Sequence, residues 1–144
     1  MDFMTGLRIS SSGMTANRRR LNAISSNIAN VNTTRTPEGG PYRKKEVIFE
    51  SMPDAKSFGQ VLTAQDRKIN RVQVTDIHVD RSAPRMQYDP THPDANKDGM
   101  VAFPNINLME EMANMIQATR AYEANASALN ASKSMASTAL EIGR

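Results

Sequence analysis

Cysteine and tryptophan are absent from the 144 residues, and aromatic side chains make up only 5% of them. Without cysteine there are no disulfides, thiolate metal sites or cysteine nucleophiles, and an extracytoplasmic home remains permitted. Few aromatics and 10 methionines mean that any core rests on small and flexible side chains, which argues against a rigid deep pocket. No run of about 18 apolar residues offers a membrane span. The N-terminus also lacks the compact apolar stretch and small-residue cleavage site of a secretory signal, so export, if it occurs, is expected to use another route.

What is present is asymmetric. The net charge is +3, yet residues 1–45 carry most of the basic excess, while 46–104 and 105–144 are each slightly acidic. Opposed signs at the two ends suit mutual attraction between the terminal segments.

Apolar residues from Phe3 to Val31 fall on a seven-residue grid, with Leu7, Met14, Leu21 and Ile28 in one row and Phe3, Ile24 and Val31 in a second. Ser10 and Asn17 interrupt the second row, which weakens a lone coiled coil but can specify register and partner. Gly6 and Gly13 share the spacing; each costs helix stability of roughly 1 kcal/mol relative to Ala while opening a stripe for close backbone approach. A second helix is predicted from Leu108 to Ile142, after Pro104, with Asn107 as its cap and Glu110 placed as in a capping box. Its rows are Leu108, Met115, Tyr122, Leu129 and Ala136, and Met112, Thr119, Ala126, Lys133 and Leu140. Ala and Ser fill much of the remainder, so this helix is slim and open to neighbours on several sides. It spans about 50 Å, whereas a compact globule of this chain length measures roughly 37 Å across. The overhang predicts partners, a bend, or folding coupled to assembly.

Between the helices, the breaker cluster Thr36-Pro37-Glu38-Gly39-Gly40-Pro41 precedes a strand predicted over Tyr42–Glu50. Val72 and Val74, then Ile77 and Val79, alternate with polar residues but change phase once, which predicts a bulge or a switch of buried face. Turns at Asp89-Pro90-Thr91-His92-Pro93 and Asp98-Gly99 lead to a strand over Met100–Phe103. Met52 to Arg71 has no assigned structure. The expected fold is mainly α with a small β insert. An N-terminal axial helix lies within 1–34, a linker and short β unit occupy 35–104, and a C-terminal axial helix occupies 105–144, the two helices forming a coiled-coil-like packing unit.

No catalytic, cofactor or metal site emerges. Asp94-Ala95-Asn96-Lys97-Asp98-Gly99 opens like a calcium loop, but the position that needs a bidentate Glu is Asn105, so it reads as an Asx-rich turn. Arg18-Arg19-Arg20 point about 100° apart on a helix and form no single nucleic-acid stripe. Like Arg43-Lys44-Lys45, they read as a solvated or subunit-bridging face. His78 and His92 lack metal-ligand spacing, and Ser25 and Ser26 lack a nucleophile elbow. The Asn-x-Ser/Thr triplets at Asn32, Asn125 and Asn130 read as compositional accidents, and the row Met109, Met112 and Met115 reads as a core or subunit seam.

Two stretches carry a resemblance. Ser12-Gly13-Met14-Thr15-Ala16-Asn17 through Asn27-Ile28-Ala29-Asn30-Val31-Asn32-Thr33-Thr34 resembles the N-terminal signature of bacterial flagellar rod and hook proteins, with its Ala-Asn-x-x-Thr element at Ala29, Asn30, Val31, Asn32 and Thr33. Glu111 through Asn125 resembles that family's C-terminal helix. Within the family, the short insert, Asn32 through Arg43, and His92-Pro93-Asp94-Ala95 are similar to the proximal rod subunits. The resemblance implies export by the flagellar type III apparatus without cleavage, and assembly in the periplasm as part of the drive shaft. It also implies an inner tube of terminal helices around the export channel. Expected partners are copies of the chain, other rod subunits, and ring, adaptor and export-apparatus proteins, with neither nucleic acid nor membrane insertion. The residues expected to pack subunits are Leu7, Met14, Leu21, Ile24, Ile28 and Val31, with Leu108, Met112, Met115, Tyr122, Leu129 and Leu140. Asn17, Asn30 and Asn32 are expected to supply polar contacts or a helix-ending turn. Competing readings are another axial protein of the same apparatus, a small metal- or nucleotide-handling enzyme, and a small basic nucleic-acid-binding protein.

Overall fold

A computed structural model describes residues 3–53 and 70–142. Helix α1 runs over Phe3–Ala29 and helix α2 over Leu108–Ile142. Asn27 meets Glu111 and Gly13 meets Asn125, so the helices lie antiparallel. A Cβ built on Gly13 would stand 3.0 Å from Asn125 Oδ1, which marks the close approach that the glycine permits. Gly6 has nothing within 4 Å, so within one chain its missing side chain makes room for no neighbour.

The α2 start follows from its cap: Asn107 Oδ1 accepts the Met109 N–H at 3.1 Å, satisfying one of the donors that a helix N-terminus leaves open. Glu110 does not complete the capping box. Its carboxylate instead lies 3.9 Å from Lys44 Nζ. Helix α1 ends through its own side chains: Asn30 Nδ2 donates to the Ser26 carbonyl at 2.9 Å, and Thr33 Oγ1 donates to Asn30 Oδ1 at 3.1 Å.

Strands β1 (Lys45–Pro53) and β2 (Asn70–Val79) form an antiparallel ribbon. The strand predicted over Tyr42–Glu50 starts later because the Tyr42 backbone is bonded elsewhere, its N–H donating to the Thr33 carbonyl, whereas the Lys44 carbonyl, accepting the Asp80 N–H, already lies in the ribbon register. Of the stretch without assigned structure, Met52, Pro53, Asn70 and Arg71 belong to the ribbon, and residues 54–69 lie outside the described residues. The phase change in β2 is a bulge. Ile48 pairs with Asp76 and Phe49 with Val74, leaving Thr75 unmatched. That single extra residue returns Val72 and Val74 to the face already held by Ile77 and Val79, where Val47 and Phe49 join them. This apolar face runs along α1, and Ser12 Oγ accepts the Val72 N–H at 3.3 Å.

A second hairpin pairs β3 (Arg85–Tyr88) with β4 (Met100–Phe103). The turn between them is closed by Asn96, whose Oδ1 accepts the N–H groups of Asp98 and Met100. The hairpin is tied to the α1 end by Thr34 Oγ1, which donates to Asp94 Oδ2 at 2.7 Å. Gly99 sits at φ 72°, and a Cβ there would lie 2.9 Å from the Tyr88 ring. Gly99→Ala is therefore expected to cost about 1–2 kcal/mol from backbone strain alone. Urea unfolding followed by circular dichroism reads this as a lower midpoint with unchanged slope.

The core is small. Among the described residues the buried apolar side chains are Ala16, Ile24, Val101, Pro104, Ile106 and Ala118.

Candidate assembly site

The two helices meet through small and polar residues. On α2 the positions facing α1 include Glu111, Ala118 and Asn125, and at the head of the pair Glu111 and Asn27 are only 2% and 1% exposed. Asn27 uses its whole amide. Its Nδ2 donates to Glu111 Oε2 and to the Lys45 carbonyl, each at 2.9 Å. Its Oδ1 accepts the Lys45 N–H at 2.9 Å and the Tyr42 hydroxyl at 3.2 Å. Ser26 Oγ lies 3.0 Å from the same hydroxyl. The other Glu111 oxygen faces Lys44 Nζ at 3.3 Å, and Glu46 holds that ammonium at 3.0 Å. One polar clamp thus fastens α1, the start of β1 and the first turn of α2 at a single point, with every arm of the central amide satisfied.

Lys44 corrects an expectation. Rather than belonging to a solvated basic face, its side chain is 16% exposed and enclosed by carboxylates. Burial works to lower its pKa, but the hydrogen bonds and charges of Glu46 and Glu111 together outweigh it, so the pKa is raised above the ordinary 10.5. A raised folded-state pKa means that the Lys44 contribution is fully present below pH 10.5 and is lost as pH climbs through the folded value. Melting temperature in alkaline buffer is expected to fall faster for the native chain than for Lys44→Met, in which this ionisation is missing. Parallel curves would exclude the coupling.

Most large apolar side chains remain outside this contact. Among the residues expected to pack subunits, Ile24 is buried, whereas Leu7, Met14, Leu21, Ile28, Val31, Met115 and Leu129 are half-buried. Leu108, Met112, Tyr122 and Leu140 are exposed at 41%, 49%, 37% and 76%. Helix geometry explains the gradient along α2: a heptad row on a straight helix drifts about 20° per repeat. The row through Leu108 therefore starts beside the α1-facing side and swings onto it near Leu129 and Ala136. The α1-facing positions went unrecognised in the sequence because a Glu, an Ala and an Asn do not mark a buried row. A seven-residue recurrence of small or polar residues was the available signal.

Of the motif residues, Asn30 and Thr33 build the turn that ends α1, Val31 is half-buried, and Ala29 and Asn32 are exposed. Asn17 Nδ2 donates to the Gly13 carbonyl one turn earlier. Arg18 and Arg19 are exposed, while Arg20 is half-buried and lines a cleft beside Glu46, Glu110 and Glu111, so the three do not share one surface. Among the described residues no helix is long and apolar enough to cross a membrane, and no group of three or more His, Asp or Glu side chains is placed to hold a metal.

Two long helices with their apolar faces outward, joined by a short β unit, match the class that family models define. Residues 7–35 match the model described as flagella basal body rod protein, and residues 97–142 match flagellar basal body rod FlgEFG protein C-terminal. The flagellar basal-body rod protein FlgC of Borreliella burgdorferi is 44% identical over 99% of this chain and 98% of its own length. FlgC of Bacillus subtilis is 42% identical over 96% of each chain, and FlgC of Salmonella typhimurium 34% over 94% of each. The chain belongs to the FlgC family of flagellar basal-body rod proteins. Such proteins are structural subunits rather than enzymes, and they assemble with other components of the rod.

Proposed function

We propose that the chain is a proximal segment of the flagellar drive shaft, built by head-to-tail contacts of its terminal helices around the export channel. The observation that carries this reading is the apolar surface that the described residues leave outside: Met109, Ile116, Met135, Leu140 and Ile142 of α2 are each more than half exposed. Contacts that do not close produce a helix rather than a ring, and dense packing of slim helices supplies the stiffness that torque requires.

In this reading Leu7, Met14, Leu21, Ile28 and Val31, with Leu108, Met112, Met115, Tyr122, Leu129 and Leu140, complete their burial against neighbouring subunits. Type III export without cleavage would deliver the chain to the periplasm, where ring, adaptor and export-apparatus proteins are its neighbours besides rod subunits. The test is complementation of a strain lacking its own proximal rod protein. The full chain is expected in isolated basal bodies and restores motility, whereas versions lacking residues 1–31 or 108–144 do neither. Motility with either truncation would overturn the proposal.

A further inference from the structure

The chain has neither cysteine nor tryptophan but 10 methionines, so thioether sulfur is the group that a two-electron oxidant attacks. Attack needs access to the sulfur, and access is uneven. On α2, Met109, Met112 and Met135 are 75%, 49% and 66% exposed. Met115 of the same helix is half-buried, as are Met14 on α1 and Met100 on β4. Met109 and Met112 stand three residues apart in the first turns of α2. Met135 lies beyond the contact of Asn125 with Gly13, about 39 Å further along the helix.

Folding of the single chain does not depend on these three sulfurs. The bonds of the clamp run through Asn27, Glu111, Lys44 and Tyr42, and leucine has much the same helix propensity as methionine. A sulfoxide at any of the three would add a strong hydrogen-bond acceptor to a side chain that water already reaches. In the free subunit that oxygen stays solvated. Packed against a neighbouring subunit, it needs a donor there or forfeits its solvation.

We propose that Met109, Met112 and Met135 are oxidation sites whose state decides whether a free subunit can join the rod. The oxidant is hydrogen peroxide. The sulfur lone pair attacks one peroxide oxygen, the O–O bond breaks, the thioether becomes a sulfoxide and water leaves. Reduction by a dithiol enzyme reverses the step, returning the thioether and water while the two thiols become a disulfide. The inference rests on the rod-subunit reading and adds a chemical control to it. Packing covers the sulfurs, so the sensitive interval ends when the subunit is incorporated.

The test has a chemical arm and a genetic arm. The purified full chain is treated with dilute hydrogen peroxide and followed by peptide mass spectrometry. Met109 and Met135 are expected to gain oxygen at least about threefold faster than Met14 and Met100, with the melting temperature of the oxidised chain lowered by no more than about 2 °C. Equal rates, or a collapse of the melt, overturn the proposal. In a strain carrying the variant as its only copy, Met109→Gln, Met112→Gln and Met135→Gln together place an amide where the sulfoxide would be. Incorporation into isolated basal bodies is expected to fall about tenfold, whereas Met86→Gln, on exposed β3, leaves it unchanged. Native incorporation by the triple variant, or an equal loss with Met86→Gln, overturns the proposal. Should the triple variant fail to fold, the native chain carries the same test: after peroxide treatment of growing cells, the rod is expected to hold about tenfold less sulfoxide at Met109 and Met135 than the unassembled chain, and equal contents overturn the proposal. Absence of the untreated native chain from basal bodies would remove the rod reading itself, so the two failures are distinct.

Discussion

Asn27→Ala is expected to be the most destabilising single truncation in the molecule, lowering unfolding free energy by about 3–5 kcal/mol. Alanine removes all four hydrogen bonds of the amide at once. Glu111, 2% exposed, loses the donor to one oxygen, and the backbone of Lys45 loses both a donor and an acceptor. A domain of this size has only about 5–15 kcal/mol to lose, and the few buried apolar side chains leave little in reserve. The measurement is urea unfolding followed by circular dichroism. Glu111→Gln is the internal comparison. It keeps an acceptor for Asn27 and leaves Lys44 paired with Glu46, so it is expected to cost clearly less. Equal losses in the two variants, or a loss below about 1 kcal/mol for Asn27→Ala, would show that the clamp is not a cooperative unit.

The second large effect separates folding from assembly. Ile116→Asp introduces a charge on a side chain that is 56% exposed in the single chain, so monomer stability is expected to change by no more than about 0.5 kcal/mol. In the rod the same carboxylate would be buried without a partner, at a cost of several kcal/mol per subunit, and rod incorporation is expected to disappear. Leu129→Asp, at a half-buried position, is expected to damage both. Swarming assays, paired with thermal melts of the purified chains, read the two effects. Normal motility with Ile116→Asp would remove the outward face of α2 from the assembly.

Much of the local architecture was legible because local rules govern it. The boundaries of α2 follow from Pro104, the Asn107 cap and a long run of good helix formers, and β4 coincides with its short apolar run between turns. The phase change in β2 could be read as an irregularity; choosing the bulge over a switched face required knowing that Val47 and Phe49 lie opposite. Strand β3 gave no signal because all four of its residues are exposed and only the ladder to β4 defines it. The start of β1 moved because the Tyr42 N–H and hydroxyl serve Thr33 and Asn27 outside the ribbon.

The sequence by itself determined two long helices with more apolar surface than one chain can hide, and a short β unit between them, because periodicity and capping are properties of neighbouring residues. Only the tertiary structure decided which helical face turns inward. That choice depends on Gly13 meeting Asn125 and on Asn27 reaching Glu111 across 84 positions of chain. Small and polar groups took the interior because close approach and a fully bonded amide hold the helices together at short range. Met109, Met112, Met135, Ile116 and Ile142 of α2 were left facing outward.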